Sequence, residues 1–207
     1  MLTLVPPPRQ LPRYLTQDQL RRFFAAISSV RDRALFALIY HHALRVGEVA
    51  LLGRPDVDIE RRRIVVRRLK GGAWGEQPLF PATEVLLCRY LVAERPPEDG
   101  PLFPGRLGPL KKRQIQALFV HYRTLADLPR THGCHSLRHS IATHLLDAGV
   151  SLEFIQDHLG HQSIRSTSIY ARITDRRRAA VFRVLGRSPW IVQPGTNATP
   201  LAPARGE

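Results

Sequence analysis

The segment His135-Ser136-Leu137-Arg138-His139 sets a histidine and an arginine three residues apart, and Leu159-Gly160-His161 and then Tyr170 follow downstream. Residues three apart on a helix share a face. At a helix N-terminus the backbone N–H groups also favour an anion, so His135 and Arg138 in that setting form a phosphate-binding arrangement. The charge balance points the same way. There are 31 Lys plus Arg against 17 Asp plus Glu, a formal net charge of +14, which calls for a polyanionic partner, nucleic acid foremost. Charge alone leaves ribosomal, membrane-surface and compositional explanations open.

Metal chemistry is not expected. Nine histidines are present, but no His-Glu-x-x-His or paired-cysteine spacing occurs, and arginines beside the histidines would repel a dication. His132, His139, His144 and His158 read as packing or capping residues, His139 with a supporting place behind the site. Cys88 and Cys134 form no CxxC pair, so neither a disulfide framework nor a cysteine-based zinc site is indicated. No cofactor motif occurs.

Together with Leu44-Arg45-Val46-Gly47-Glu48 and with Lys70 in a turn, these residues resemble the tyrosine recombinase, or phage integrase, family. The resemblance runs from about Thr16 to Leu185 and implies six catalytic residues in the family's order: Arg45, Lys70, His135, Arg138, His161 and Tyr170. The residue types suit the reaction. In-line attack on a phosphodiester puts extra negative charge on two non-bridging oxygens, and guanidinium stays charged and gives paired hydrogen bonds to phosphate. A phenol with a pKa near 10 costs about 4 kcal/mol to deprotonate at pH 7, so Tyr170 needs a positive cluster around it. The resemblance implies His135 as its proton acceptor, with a phosphate oxygen as the alternative relay. It also implies Lys70 as the acid that protonates the departing 5′ oxygen and His161 as a hydrogen-bond partner of a non-bridging oxygen. Plainer roles compete: an ion pair with Glu48 for Arg45, one more solvated charge in the basic run 61–70 for Lys70, and a helix-end histidine for His161.

The elements that must position these residues are legible as well. Residues 1–15 are Pro-rich and read as an extended arm. Thr16-Gln17-Asp18-Gln19 has capping-box spacing, and Leu20, Phe23, Phe24 and Ile27 follow at helical period. A second apolar helix runs from about Arg31 to Ala43. Residues 57–59, 64–69 and 77–80 then read as a small antiparallel meander, with Gly71, Gly72 and Gly75 between the last two strands. Helical period returns at 85–92 and from Ile115 to Leu125, separated by a loop marked by Pro96, Pro97, Pro101 and Pro104. A helix from Ser136 to Ala148 should stop at Gly149, and Ser151 should cap a short one ending before Gly160. The expected fold is therefore α+β, a mainly α-helical catalytic domain with a small three-stranded antiparallel sheet. It should occupy residues 16–187 and be followed by a Pro-containing flexible tail over 188–207 or an arm that orders on binding.

Pro6, Pro7 and Pro8 interrupt any signal-peptide-like apolar run, and no segment reaches the ~18 apolar residues of a membrane span, so a cytoplasmic protein is expected. The resemblance implies double-stranded DNA as substrate, a 3′-phosphotyrosyl intermediate without ATP or metal, and a homotetramer on DNA. Val181, Phe182, Val184 and Leu185 would then pack on a neighbouring subunit or on their own domain. Only about fifteen residues precede Thr16, so the family's N-terminal DNA clamp is expected to be missing, as in the short fimbrial phase-switch invertases. The arm or an accessory protein would then supply the grip. Three other readings stay open: type IB topoisomerase-like nicking and resealing, a catalytically silent DNA-binding regulator, and a metal-free ribonuclease using His135 and Lys70.

Overall fold

A computed structural model of the chain describes residues 12–67, 75–160 and 167. The chain divides after Thr174 into two units, and the described residues all belong to the first.

Helix α1 (Gln17–Ala25) begins as its sequence requires: the Gln19 N–H donates to Thr16 Oγ1 at 3.2 Å while the Thr16 N–H donates to Gln19 Oε1 at 3.0 Å. Helix α2 (Val30–His41), capped by Ser29, carries Arg31, Asp32 and Arg33 in its first turn, and beyond them every residue from Ala34 to Tyr40 is buried. A helix stretch apolar and buried on every side belongs in the middle of a fold. Here α2 is packed by α3 (Val46–Ala50), α4 (Pro81–Glu94) and α6 (His135–Asp147). Phe36 from α2, Phe23 from α1 and Phe119 from α5 (Lys112–Leu125) meet with ring centroids 5.0 to 6.1 Å apart and anchor the core.

Between α3 and α4 lies the three-stranded antiparallel sheet β1 (Val57–Asp58), β2 (Arg63–Val66) and β3 (Gly75–Pro78), in that order across the sheet. It is the expected meander, with the last strand beginning earlier than the sequence suggested. Val66 pairs with Gly75 and Ile64 with Gln77, so Gly75 joins the ladder rather than the turn. Ile64 and Val66 point inward and Arg63 outward, the alternation of a sheet with one buried face. The Pro-rich stretch after α4 contains two elements that periodicity did not reveal, the short strands β4 (Pro104–Gly105) and β5 (Gly108–Pro109), joined by Arg106-Leu107. Gly108 sits at φ +99°, where a side chain would be strained. Helix α6 ends at Gly149 (φ +96°). Helix α7 (Leu152–Leu159), with Ser151 accepting from the Phe154 N–H, ends at Gly160 (φ +61°). Among the described residues no helix is long and apolar enough to cross a membrane.

The last residues before α1 are bound to the body. Leu15 is fully buried, and its N–H donates to Ser140 Oγ on α6 at 2.8 Å.

Candidate active site

Three of the six residues singled out above lie among the described residues, and the fold brings all three together. Lys70, His161 and Tyr170 lie outside the described residues, as do Val181, Phe182, Val184 and Leu185.

Arg45 stands at the N-cap of α3, two residues after Ala43, whose φ of +51° turns the chain sharply out of α2. Its Nη1 donates to Glu48 Oε1 at 2.7 Å, and its backbone N–H donates to Glu48 Oε2 at 2.8 Å. The ion pair expected as the plainer alternative is therefore present. It orients Arg45 without consuming it: Glu48 is 1% exposed while Arg45 remains 29% exposed, and a guanidinium carries five N–H donors. A carboxylate held at both ends by one residue fixes the direction in which that arginine leaves the helix.

Arg138 lies on the first turns of α6 and is 1% exposed. Its Nη1 donates to the Ala43 carbonyl and its Nη2 to the Leu159 carbonyl. One buried guanidinium thus joins the turn that launches Arg45 to the end of α7, immediately before Gly160 and His161. A guanidinium carries five N–H donors in a fixed fork, the geometry that suits a phosphate.

His135 is the first residue of α6, and its ring meets His139 edge-on at a centroid distance of 4.5 Å. Although His135 as a residue reaches solvent, burial of its ring comes first in lowering its pKa to about 4. Arg138 and then Arg45 add to the shift, and Glu48 opposes it. His135 is accordingly neutral at pH 7, with a ring nitrogen able to accept a proton. The bond from Arg138 to the Ala43 carbonyl holds the start of α6, with His135, against the turn that carries Arg45 and its partner Glu48.

The start of α6 differs from expectation in one respect. The Ser136 N–H donates to the Gly133 carbonyl at 2.9 Å and the Leu137 N–H to the Cys134 carbonyl at 3.2 Å, because Cys134 is itself helical (φ −55°, ψ −32°). Backbone donors that would have faced an anion are thus spent in a tight first turn, and affinity for phosphate there rests on side chains.

Other groups are excluded as nucleophiles by their surroundings. Burial pushes the Cys134 thiol up to about 12. Tyr40, Tyr90 and Tyr122 are each raised to about 12, chiefly by burial, and their hydroxyls are engaged by His144, the Leu102 carbonyl and Asp32. The remaining histidines serve the packing: His132 Nε2 faces the Tyr14 carbonyl at 3.1 Å and His158 Nε2 the His41 carbonyl at 2.7 Å. Sequence reasoning missed Ser140 and Arg123. Arg123 Nη1 donates to the Arg130 and His132 carbonyls and steadies the loop that delivers His135. The Ser140 contact with Leu15 joins segments 125 residues apart, and the Arg123 contacts reach 7 and 9 residues across a loop without periodicity, so no local pattern signals them.

A sequence model of the phage integrase family matches residues 13–177. The chain belongs to that family. It is 33% identical over 177 residues to the tyrosine recombinase XerA of Pyrococcus horikoshii, covering 82% of this chain and 60% of the relative. It is 36% identical over 199 residues to the tyrosine recombinase XerC of Rhodospirillum centenum, covering 88% and 56%. The chain thus spans just over half the length of these relatives. Among solved structures, the XerA recombinase superposes with a TM-score of 0.74 at 27% identity, over 87% of this chain and 66% of that one. The integrase of mycobacterium phage Brujita superposes with a TM-score of 0.64 at 29% identity, over 84% and 57%.

Proposed function

We propose that this chain acts as a tyrosine-type site-specific DNA recombinase, cutting and rejoining strands of double-stranded DNA through Tyr170. The observation that carries the reading is the convergence of two distant segments, the turn that launches Arg45 and the start of α6 that carries His135 and Arg138, joined by the bond from the Arg138 guanidinium to the Ala43 carbonyl. Family membership supports it, since the relatives above are named recombinases and an integrase.

In this reading Arg45 and Arg138 bind the non-bridging oxygens of the scissile phosphate and stabilise the charge that develops on them. The Tyr170 oxygen attacks phosphorus in line while its proton passes to His135. The bond to the 5′ oxygen breaks, and that oxygen leaves as a hydroxyl protonated by Lys70. His161 hydrogen-bonds the phosphate. The product is a 3′-phosphotyrosine, which retains the energy of the broken phosphodiester, so a 5′ hydroxyl of another strand reverses the reaction and restores the phenol. Exchange between two duplexes requires four active sites, hence a homotetramer on DNA. An accessory or clamp protein completes the grip where this chain alone does not encircle its target.

A strand-exchange assay tests this. Two labelled duplexes carrying the DNA that flanks the protein's own coding sequence are incubated with the protein in excess chelator. Covalent joining of the two labels is expected. Relaxation of supercoiled DNA without joining would favour a type IB topoisomerase-like activity, and binding with neither would favour a silent regulator.

A further inference from the structure

The catalytic pair His135 and Arg138 is held from an unexpected side. Residues 13–15, just ahead of the first helix, lie along the loop and helix that carry the pair and bind them at three successive points. Arg13 Nη1 donates to the Thr131 carbonyl at 3.0 Å, the Tyr14 carbonyl faces His132 Nε2 at 3.1 Å, and the Leu15 N–H donates to Ser140 Oγ at 2.8 Å. Ser140, fully buried, passes the contact on: its hydroxyl donates to the Ser136 carbonyl at 2.7 Å, within the first turn of α6. A serine bonded back onto the carbonyl four residues earlier competes with the backbone ladder of its helix, and here the carbonyl it engages lies in the turn between His135 and Arg138. Leu15, without exposed surface, and the Tyr14 ring edge-on to His144 at 6.3 Å fasten the segment to the rest of α6.

From this geometry we infer that Ser140 is a positioning residue for strand cleavage, and that the segment Arg13–Leu15 is the strap through which it sets the His135–Arg138 turn. The inference rests on the recombinase reading. It also assigns the chain ahead of α1 a role in chemistry, beyond reaching for DNA. A load on that segment, from DNA or from a bound protein, reaches the two residues that handle the phosphate and the nucleophile's proton through two buried hydrogen bonds, Leu15 to Ser140 and Ser140 to Ser136.

The test compares wild type, Ser140→Ala, Ser140→Thr and Arg13→Ala. Formation of the covalent protein-DNA adduct is followed at saturating nicked DNA, with DNA affinity and thermal midpoint measured beside it. Arg13 is solvent-exposed, so its replacement leaves the fold intact, and Ser140→Thr keeps the hydroxyl. A misplacement of about 1 Å in a reacting group costs up to ~10² in rate. The expected result is a fall of ~10-fold or more in cleavage rate for Ser140→Ala and a smaller fall for Arg13→Ala. Affinity should stay within about two-fold of wild type, and Ser140→Thr should recover most of the rate. The low-pH limb should also move up in Ser140→Ala, because a loosened turn returns water to the His135 ring, beside His139 on its own helix, where Arg138 and Arg45 oppose its protonation and Glu48 on α3 favours it. An active wild type whose Ser140→Ala and Arg13→Ala variants cleave at the same rate, or lose rate only in proportion to lost folded protein, would overturn the strap and leave the recombinase reading standing. A wild type that forms no adduct would overturn both.

Discussion

At the residue scale, two arginines and a histidine are made fit for phosphate by what holds them. Arg138 is spent twice over, on the Ala43 and Leu159 carbonyls, so Arg138→Lys, with a single ammonium in place of a fork, cannot hold both segments and the phosphate. We expect Arg138→Lys to lose ~10² to 10³ in adduct formation, the usual cost of removing one preorganised donor, with little change in DNA affinity measured by filter binding. Arg45 depends on Glu48 for its direction. Glu48→Ala should therefore lower the cleavage rate by ~10-fold or more, and Glu48→Gln, which keeps an acceptor for the Arg45 N–H, should lower it less. The depressed pKa of His135 makes a separate prediction. A histidine of pKa about 4 in the fold and about 6.5 when unfolded binds fewer protons folded than unfolded in that interval. Its contribution to stability is present above pH 6.5 and is lost as pH falls toward 4. His41, lowered to about 4 chiefly by burial and then by His158, acts in the same direction. His135→Gln should flatten the fall in thermal midpoint between pH 6.5 and 4, and a slope equal to that of wild type would count against this assignment.

At the element scale, short helices deliver the chemistry, and their ends matter more than their lengths. Gly160 closes α7 at φ +61°, a conformation that costs an L-residue roughly 1 kcal/mol or more. Gly160→Ala should lower the thermal midpoint and reduce cleavage more than Ser151→Ala, which removes a cap worth about 1 kcal/mol at the far end of the same helix. These boundaries were legible in the sequence because caps are local: Thr16 with Gln19, Ser151, Gly149 and Gly160 each announce themselves within four residues. Helix α3 and the β4–β5 ribbon were not, since five residues hold too little periodicity to read and a two-residue strand holds none. The site divides in the same way. The spacing of His135 and Arg138 and the Arg45–Glu48 pair are local patterns. The contacts of Arg138 with Ala43 and Leu159, and of Ser140 with Leu15, span from 21 to 125 residues and exist only once the chain has folded.

At the scale of the whole molecule, α2, buried from Ala34 to Tyr40, sits in the middle of the described fold, and the turn beyond its C-terminal end is where Arg138 on α6 bonds the Ala43 carbonyl, next to Arg45. The Phe23, Phe36 and Phe119 cluster at its flank holds that frame, and Phe119→Ala should cost about 3 to 5 kcal/mol of unfolding free energy in denaturant titrations. A net charge of +14 implies binding dominated by phosphate contacts, so DNA affinity should fall by ~10³ or more between 50 and 200 mM salt. The most direct measurement concerns the nucleophile. Wild type and Tyr170→Phe are incubated with nicked DNA bearing the natural flanking sequence and resolved under denaturing conditions, and the residue joined to DNA is identified by peptide mapping. The expected result is an adduct through Tyr170 to a 3′ phosphate in wild type and none in Tyr170→Phe. An adduct that survives Tyr170→Phe, or DNA bound and never joined by the wild type, would contradict it.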